Sequence, residues 1–203
     1  MWVNGDSTLI VTPKGKKILI DGGETDQNIL VPYLLARKIK TLDYVVISHF
    51  DSDHSGGARE VVKKLNVKNL IIGKQGETSD ECSKTIEIAK QKNTKVISVQ
   101  AGQKIRFEKN ISFNILWPDS KNMVSENILN NNSMVAKLIY GKCQILFTGD
   151  IEQIAEEKIV QMYGNELNST ILKVAHHGSN TSSIEVFVNK VKPKIALIGV
   201  RKK

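Results

Sequence analysis

The stretch Ser48-His49-Phe50-Asp51-Ser52-Asp53-His54-Ser55-Gly56-Gly57 decides how the rest of the chain is interpreted. It follows the apolar run Leu42–Ile47, whose β-branched and aromatic residues are typical of a buried strand. Two histidines and two aspartates fall within six residues, and Ser55-Gly56-Gly57 predicts a tight loop after them. We therefore expect potential metal ligands at the carboxyl end of a strand, where α/β proteins usually carry their chemistry.

This cluster of His49, Asp51, Asp53 and His54 has two interpretations. Imidazole binds Zn, Fe or Mn and carboxylate binds harder ions, so the four side chains could serve two adjacent divalent metals. A solvated loop, with an aspartate that caps a helix beginning near Gly57, would explain the same residues without a metal. The density of histidine and aspartate favours the metal site.

The motif His-x-Asp-x-Asp-His, followed by Ser-Gly-Gly, resembles the first motif of the metallo-β-lactamase superfamily. The variant is the one found in the hydrolase domain of the DNA-internalisation competence protein ComEC. Further segments fit the same family in its order and cover most of the chain: Gly5–Ile10 with Asp21-Gly22-Gly23, Phe147–Asp150 and Leu172–Ser179. The resemblance implies an α/β fold, the four-layer αββα sandwich, and we expect a single domain over residues 1–203.

The predicted elements agree with this fold, because strand and helix alternate up to Val99 and short strands dominate from Lys104 onward. The second half therefore predicts a further sheet, antiparallel or mixed. Helices are predicted at Asn28–Lys40, Ala58–Leu65, Glu81–Lys92, Ile151–Tyr163 and Ser183–Val191. Strands are predicted at Ser7–Thr12, Lys16–Ile20, Leu42–Ile47, Asn69–Ile72, Lys95–Val99, Lys104–Glu108, Ile111–Trp117, Ser133–Tyr140, Cys143–Thr148, Thr170–Ala175 and Lys194–Val200.

The resemblance implies a dinuclear metal site. The expected ligands are four residues of the first motif and two later ones: His49, Asp51, Asp53, His54, Asp150 and His176. Asp150 would bridge the two ions, and Asp53 is the expected catalytic residue because it would orient the attacking nucleophile. Asp51 stands where an all-histidine site would have an imidazole. The donor set is therefore richer in oxygen than such a site and favours two Mn²⁺ or Mg²⁺ ions, with Zn²⁺ as an alternative.

The substrate contacts are expected on the later motifs. The sequence leaves open which imidazole of His176-His177 binds metal, and we assign His176 to the metal and His177 to the substrate. Lys173 and Ser179 are further candidates for contact with an anion. At Asn130–Ser133, where many relatives supply a histidine, this sequence has none. The side chains of Asn131 and Asn132 could contact a metal or a phosphate, or could be structural.

The net charge of +8 favours an anionic partner, which we expect to be single- or double-stranded DNA or another phosphoester. Scattered lysine pairs on solvated faces would explain this charge equally well. Because 5% of the residues are aromatic, an extensive base-stacking surface is not expected. The predicted activity is hydrolysis of DNA phosphodiesters.

Two alternatives to the nuclease stay open. A hydrolase of small esters or lactones would share the same scaffold. A non-catalytic nucleic-acid-binding module with a degenerate metal site would account for the missing histidine. It would also account for the lack of the Gly-His-Pro segment that, by the resemblance, often follows the last strand in relatives.

The sequence contains no apolar run of about eighteen residues and no export signal. We therefore expect a cytoplasmic location for a stand-alone chain, and an extracytoplasmic one for a part of a ComEC-like membrane protein. Cys82 and Cys143 are far apart in sequence and are expected to be reduced thiols. The sequence does not predict the oligomeric state.

Overall fold

The computed structural model describes residues 5–24, 29–75 and 79–199. These residues form two compact units. The first contains residues 5–24, 29–72 and 79–98, and the second contains residues 73–75 and 99–199. Each unit is built on one mixed β-sheet with helices. A single domain over 1–203 stays a prediction.

The sheet of the first unit has the strand order β1-β2-β3-β4-β5. Its strands are β1 (Thr8–Val11), β2 (Lys17–Ile20), β3 (Thr41–Ile47), β4 (Asn66–Gly73) and β5 (Lys95–Val99), and its helices are α1 (Leu30–Ala36), α2 (Ser52–Lys64) and α3 (Asp80–Gln91). β2 and β3 are parallel, and Ile20 lies opposite Val46. Their carboxyl ends therefore meet at one edge of the sheet, where Asp21 and Ser48 follow.

The core of the first unit joins this sheet to its helices. Leu19 and Val45 of the strands and Leu34, Val61 and Val62 of the helices are completely buried in one cluster. Burying each such side chain stabilises the fold by about 1.5–3 kcal/mol. The edge of the sheet is therefore supported by a well-packed core.

The sheet of the second unit has the strand order β11-β10-β9-β8-β7-β6. Its strands are β6 (Lys104–Glu108), β7 (Ile111–Trp117), β8 (Val135–Tyr140), β9 (Cys143–Phe147), β10 (Ile171–Lys173) and β11 (Ile195–Leu197), and its helices are α4 (Ile128–Asn131), α5 (Gln153–Tyr163) and α6 (Glu185–Val191). β6 to β9 pair antiparallel, whereas β9, β10 and β11 are parallel. The carboxyl ends of β9 and β10, which precede Asp150 and His176-His177, therefore lie side by side.

Most predicted elements are found within a few residues of their predicted bounds, and β5, β6 and β7 match them. The predicted tight loop at Ser55-Gly56-Gly57 is wrong, because α2 begins at Ser52 and runs through both glycines. β10 ends at Lys173 instead of Ala175, since the backbone turns there. Asn28, the predicted first residue of a helix, and Val200, the predicted last residue of a strand, lie outside the described residues.

Across the ranges given above, none of the helices has the length and apolar character needed to cross a bilayer. Both cysteines are free thiols: Cys82 is buried and Cys143 is exposed.

Candidate metal centre

The first turn of α2 carries two of the predicted site residues. Asp51 precedes the helix with an extended backbone, at φ −72° and ψ 149°. Asp53 is half-buried, and the imidazole of His54 is completely buried. A carboxylate in the first turn is stabilised by the positive end of the helix dipole. The motif therefore starts a helix as well as providing possible ligands.

Glycines bring three segments of the first unit into direct backbone contact. The N–H of Gly57 donates to the carbonyl of Gly23 at 2.7 Å, and the N–H of Gly22 donates to the carbonyl of His54 at 2.8 Å. A Cβ atom on Gly57 would lie 2.0 Å from the Gly22 carbonyl oxygen. The N–H of Gly23 also donates to the carbonyl of Asp6 at 2.9 Å. These contacts hold the buried Asp6 beside the start of α2.

Asp21 is a buried carboxylate that organises both imidazoles of the first motif. Its two oxygens accept the N–H and the hydroxyl of Ser48, each at 2.8 Å. Its Oδ2 also lies 3.0 Å from Nδ1 of His54. The Ser48 hydroxyl oxygen lies 3.0 Å from Nδ1 of His49, whose Nε2 is 3.6 Å from Asp51 Oδ2.

These partners determine the tautomers of the two rings. A carboxylate next to Nδ1 requires that His54 carry its proton there, which leaves the lone pair of Nε2 for a metal. Because the Ser48 hydroxyl donates to Asp21, it accepts from Nδ1–H of His49 in the same way. The two rings lie 4.2 Å apart between centroids, and both are fully buried. A single carboxylate thus orients two potential ligands.

In the second unit, Asp150 lies just beyond β9 and is 3% exposed. Its N–H donates to the hydroxyl of Ser133 at 3.2 Å. Its Oδ2 lies 3.5 Å from Nε2 of His177. The predicted ligand Asp150 is therefore paired with the second histidine of His176-His177.

The backbone after β10 explains why His177 takes this position. His176 and His177 both have left-handed conformations, at φ 47° and φ 52°. Such values cost energy for a residue with a Cβ atom and are concentrated at functional sites. His177 Nδ1 lies 3.1 Å from the carbonyl of Gly199, so it donates there and leaves Nε2 toward Asp150.

His176 faces different partners. Its Nδ1 lies 3.2 Å from the hydroxyl of Thr181 and 3.6 Å from a carboxylate oxygen of Glu152. The Ser179 hydroxyl lies 3.0 Å from the same Thr181 hydroxyl. Lys173 donates to the carbonyl of Val174 at 3.1 Å. The roles of His176, Ser179 and Lys173 at the site stay predictions.

Asn131 and Asn132 are buried, and both side-chain amides are engaged within the second unit. The amide of Asn132 exchanges two hydrogen bonds with the backbone of Val124 and donates a third to Ile128. Asn131 accepts from the N–H of Glu152 and donates to its carboxylate. These bonds give both asparagines a structural role, and their predicted contact with substrate is untested.

Within each unit, one aspartate and one histidine offer ligand atoms that could hold a metal ion: Asp6 with His54 in the first unit, and Asp150 with His177 in the second. Imidazole and carboxylate are donors that fit Zn²⁺ or Mn²⁺. Hydrogen bonds to Nδ1 orient both rings, as is usual for metal-binding histidines. The chemistry of these residues therefore fits a divalent metal.

The predictions named some of these residues and missed others. Among the described residues, these two pairs do not include His49, Asp51, Asp53 or His176, whose assignment as metal ligands stays a prediction. Asp6 and Asp21 lie in the motifs that carry the resemblance, but the sequence predicts no metal contact for either of them. Their signal was an aspartate next to glycine at a strand end, which also describes an ordinary turn.

The whole-chain comparison decides the family. The model of the metallo-β-lactamase superfamily matches residues 1–200. The chain belongs to the metallo-β-lactamase superfamily. This match confirms the predicted fold class, the α/β sandwich of αββα type, and it supports a metal-dependent hydrolase domain.

Relatives of this metallo-β-lactamase domain include a protein named for competence. The chain is 30% identical to ComE operon protein 3 of Bacillus subtilis over 98% of its own length and 27% of that protein. It is 32% identical to competence protein ComA of Neisseria gonorrhoeae over 97% of its length and 26% of that protein. These names agree with the resemblance to the ComEC hydrolase domain. The chain spans about a quarter of both relatives.

Among solved structures, the chain is similar to Igni18, a metallo hydrolase from the archaeon Ignicoccus hospitalis. The TM-score is 0.63 at 16% identity, and the match covers 97% of this chain and 79% of Igni18. This similarity extends over nearly the whole chain and concerns the fold.

Proposed function

We propose that this domain is a metal-dependent phosphodiesterase that acts on DNA. The observation that carries the proposal is that each unit holds an aspartate and a histidine whose ring is fixed through Nδ1: Asp6 with His54, and Asp150 with His177. The net charge of +8 supports a polyanionic substrate. The competence relatives support DNA as that polyanion.

The proposed cofactors are two divalent ions, Zn²⁺ or Mn²⁺, with Mg²⁺ as a further option. Asp6, His54, Asp150 and His177 would hold them, with His49 and Asp51 as further ligands. Divalent cations in such sites polarise a phosphoryl oxygen and lower the pKa of an attacking water. The buried Asp21 and Ser48 would keep the imidazoles in their binding tautomers.

The remaining chemistry is proposed for residues of this chain at the site. Asp53, in the first turn of α2, would accept a proton from the attacking water and orient it. Three residues at or after the end of β10 would contact the phosphate: Lys173, His176 and Ser179. If the chain stands alone, we propose a cytoplasmic location, and as part of a ComEC-like membrane protein an extracytoplasmic one.

The test is a substrate panel with purified protein. Single-stranded DNA, double-stranded DNA, bis(p-nitrophenyl) phosphate and a lactone are each incubated with Mn²⁺, Zn²⁺, Mg²⁺ or EDTA. We expect metal-dependent cleavage of the phosphodiesters, at least a hundredfold slower in Asp53→Ala and unchanged in the surface variant Asp119→Asn. Turnover of the lactone alone would refute the nuclease and favour the esterase or lactonase alternative.

The second candidate function is a non-catalytic module that binds nucleic acid. It is favoured by Asn131 and Asn132, whose amides are engaged internally at the place where many relatives supply a histidine. In the same panel, DNA binding without turnover under any of the metals would support this candidate.

A further inference from the structure

The first unit contains a cavity of about 300 Å³ that the proposed chemistry does not use. Its walls combine apolar side chains, glycine backbone and one acidic residue: Gly5, Ser7, Leu9, Gly22, Gly23, Glu24, Ile29, Leu30 and Tyr33. This volume is at the lower end of the range for small-molecule sites. The cavity therefore suits one group of moderate size.

The backbone wall of the cavity is part of the segment that positions the candidate ligands. Gly22 donates its N–H to the carbonyl of His54, and Gly23 donates its N–H to the carbonyl of Asp6. A substrate whose reacting group lies at Asp6 and His54 would therefore extend into this cavity with its neighbouring group. The cavity is therefore placed to contact the substrate group that is attached to the scissile bond.

Tyr33 provides an aromatic wall with a cation over its ring. The residue is 44% exposed, and the guanidinium carbon of Arg37 lies 4.6 Å from the centroid of its ring. Aromatic rings stack on nucleobases irrespective of their sequence, and guanidinium groups pair with phosphate. The Tyr33 ring offers a surface on which a base can stack, and the Arg37 guanidinium offers a positive charge for the adjoining phosphate.

The other walls fit the same kind of ligand. Leu9, Ile29 and Leu30 are apolar and can contact the faces and edges of a heterocycle. The Glu24 carboxylate can accept a hydrogen bond from an exocyclic amino group. One aromatic residue also agrees with the low aromatic content of the chain, which excludes an extensive stacking surface but permits a single stacking position.

We propose that this cavity is a nucleobase subsite, in which Tyr33 stacks on the base next to the scissile phosphate and Arg37 contacts the adjoining phosphate. The inference rests on the proposed function and names its substrate more closely. It makes the enzyme selective for nucleotides over small phosphodiesters without a base, while discriminating little among the four bases.

The test compares two fluorescent pentanucleotides of equal charge, one of thymidine and one with all sites abasic. Their binding is measured by anisotropy in EDTA, so that no turnover occurs. We expect the wild-type protein to prefer the thymidine oligonucleotide about tenfold. Tyr33→Ala should abolish this preference, and Tyr33→Phe should retain it because the ring stays. The exposed Tyr140, which lies on β8, gives the control variant Tyr140→Ala, in which the preference should persist.

Equal affinity of the wild-type protein for both oligonucleotides, or a preference that survives Tyr33→Ala, would overturn the inference. Hydrolysis of bis(p-nitrophenyl) phosphate is measured in parallel and separates the two proposals. Hydrolysis without a base preference would refute the subsite alone. A base preference without any phosphodiester hydrolysis would support the subsite and refute the proposed activity.

Discussion

The carboxylate of Asp21 lies behind the imidazole of His54, with Oδ2 3.0 Å from Nδ1. The same carboxylate accepts two hydrogen bonds from Ser48. Asp21 follows β2 and Ser48 follows β3, so the parallel pairing of these strands creates the contact. We expect Asp21 to act on a metal through the histidine that it orients.

Asp21→Asn tests this relationship. The amide cannot serve both Ser48 and the Nδ1–H of His54 as acceptor, so the ring loses its fixed tautomer. We expect the affinity for Zn²⁺ or Mn²⁺ to fall about 10–100-fold. Isothermal titration calorimetry measures it, with circular dichroism to verify folding and Asp119→Asn as the control. An unchanged affinity in folded Asp21→Asn would contradict the role of Asp21.

His177 and His176 form a matched pair of neighbours. Because His177 Nε2 faces Asp150 and His176 faces Thr181, we expect His177→Ala to lose metal affinity at least tenfold more than His176→Ala. Metal titration of both variants gives the comparison directly. A larger loss in His176→Ala would restore the assignment made from sequence.

Gly57 lies inside α2, where replacement by alanine normally stabilises a helix by about 1 kcal/mol. Here the new Cβ atom would lie 2.0 Å from the Gly22 carbonyl. We therefore expect Gly57→Ala to lower the free energy of unfolding by about 2 kcal/mol or more. Urea denaturation measures it. Gly102→Ala, where the Cβ would meet open space at φ +85°, should cost about 1 kcal/mol. A stabilised Gly57→Ala variant would contradict the close approach.

Glu156 gives the second unit a pH-dependent stability. Burial raises the pKa of Glu156 to about 7, against the lowering effect of hydrogen bonds from the N–H groups of Ile184 and Ser183. Between about pH 4.5 and 7 the folded protein binds a proton that the unfolded chain releases. The contribution is therefore complete at low pH and is lost as the pH rises through 7.

The measurement is the free energy of unfolding from pH 5 to 8. A difference of one bound proton between the folded and unfolded protein changes the free energy of unfolding by about 1.4 kcal/mol per pH unit, which is the steepest slope expected. We expect Glu156→Gln to flatten the fall in stability, whereas Glu157→Gln, on the exposed face of α5, should keep it. A profile that is the same in Glu156→Gln and wild type would show that this carboxyl does not titrate in the window.

The sequence predicted the parts of the fold that depend on local signals. β5, β6 and β7 have their predicted bounds because glycine and asparagine mark the turns that separate them. The start of α2 was missed because Gly56-Gly57 normally interrupts a helix. Position 57 requires glycine because a Cβ atom there would collide with Gly22, and this tertiary contact is not visible in the local sequence.

The same limit applies to the candidate site. The first motif and Asp150 stand out from sequence because of their residue types. The choice between His176 and His177 depends on two left-handed backbone conformations, which no local pattern announces. The positions of Asp21 and Asp6 depend on strand pairing and on glycine contacts between segments that are distant in sequence. The sequence therefore predicted which residue types form the candidate site better than it predicted how they are arranged.

The most direct test of the account is the metal content of the protein together with its DNA hydrolysis, measured in the wild type, His54→Ala and Asp150→Asn. Asp119→Asn is the control. We predict that the wild type and the control bind divalent metal and cleave DNA, and that His54→Ala and Asp150→Asn lose bound metal and cleavage together. Metal binding equal to wild type in both site variants, or cleavage that persists in EDTA, would contradict the account.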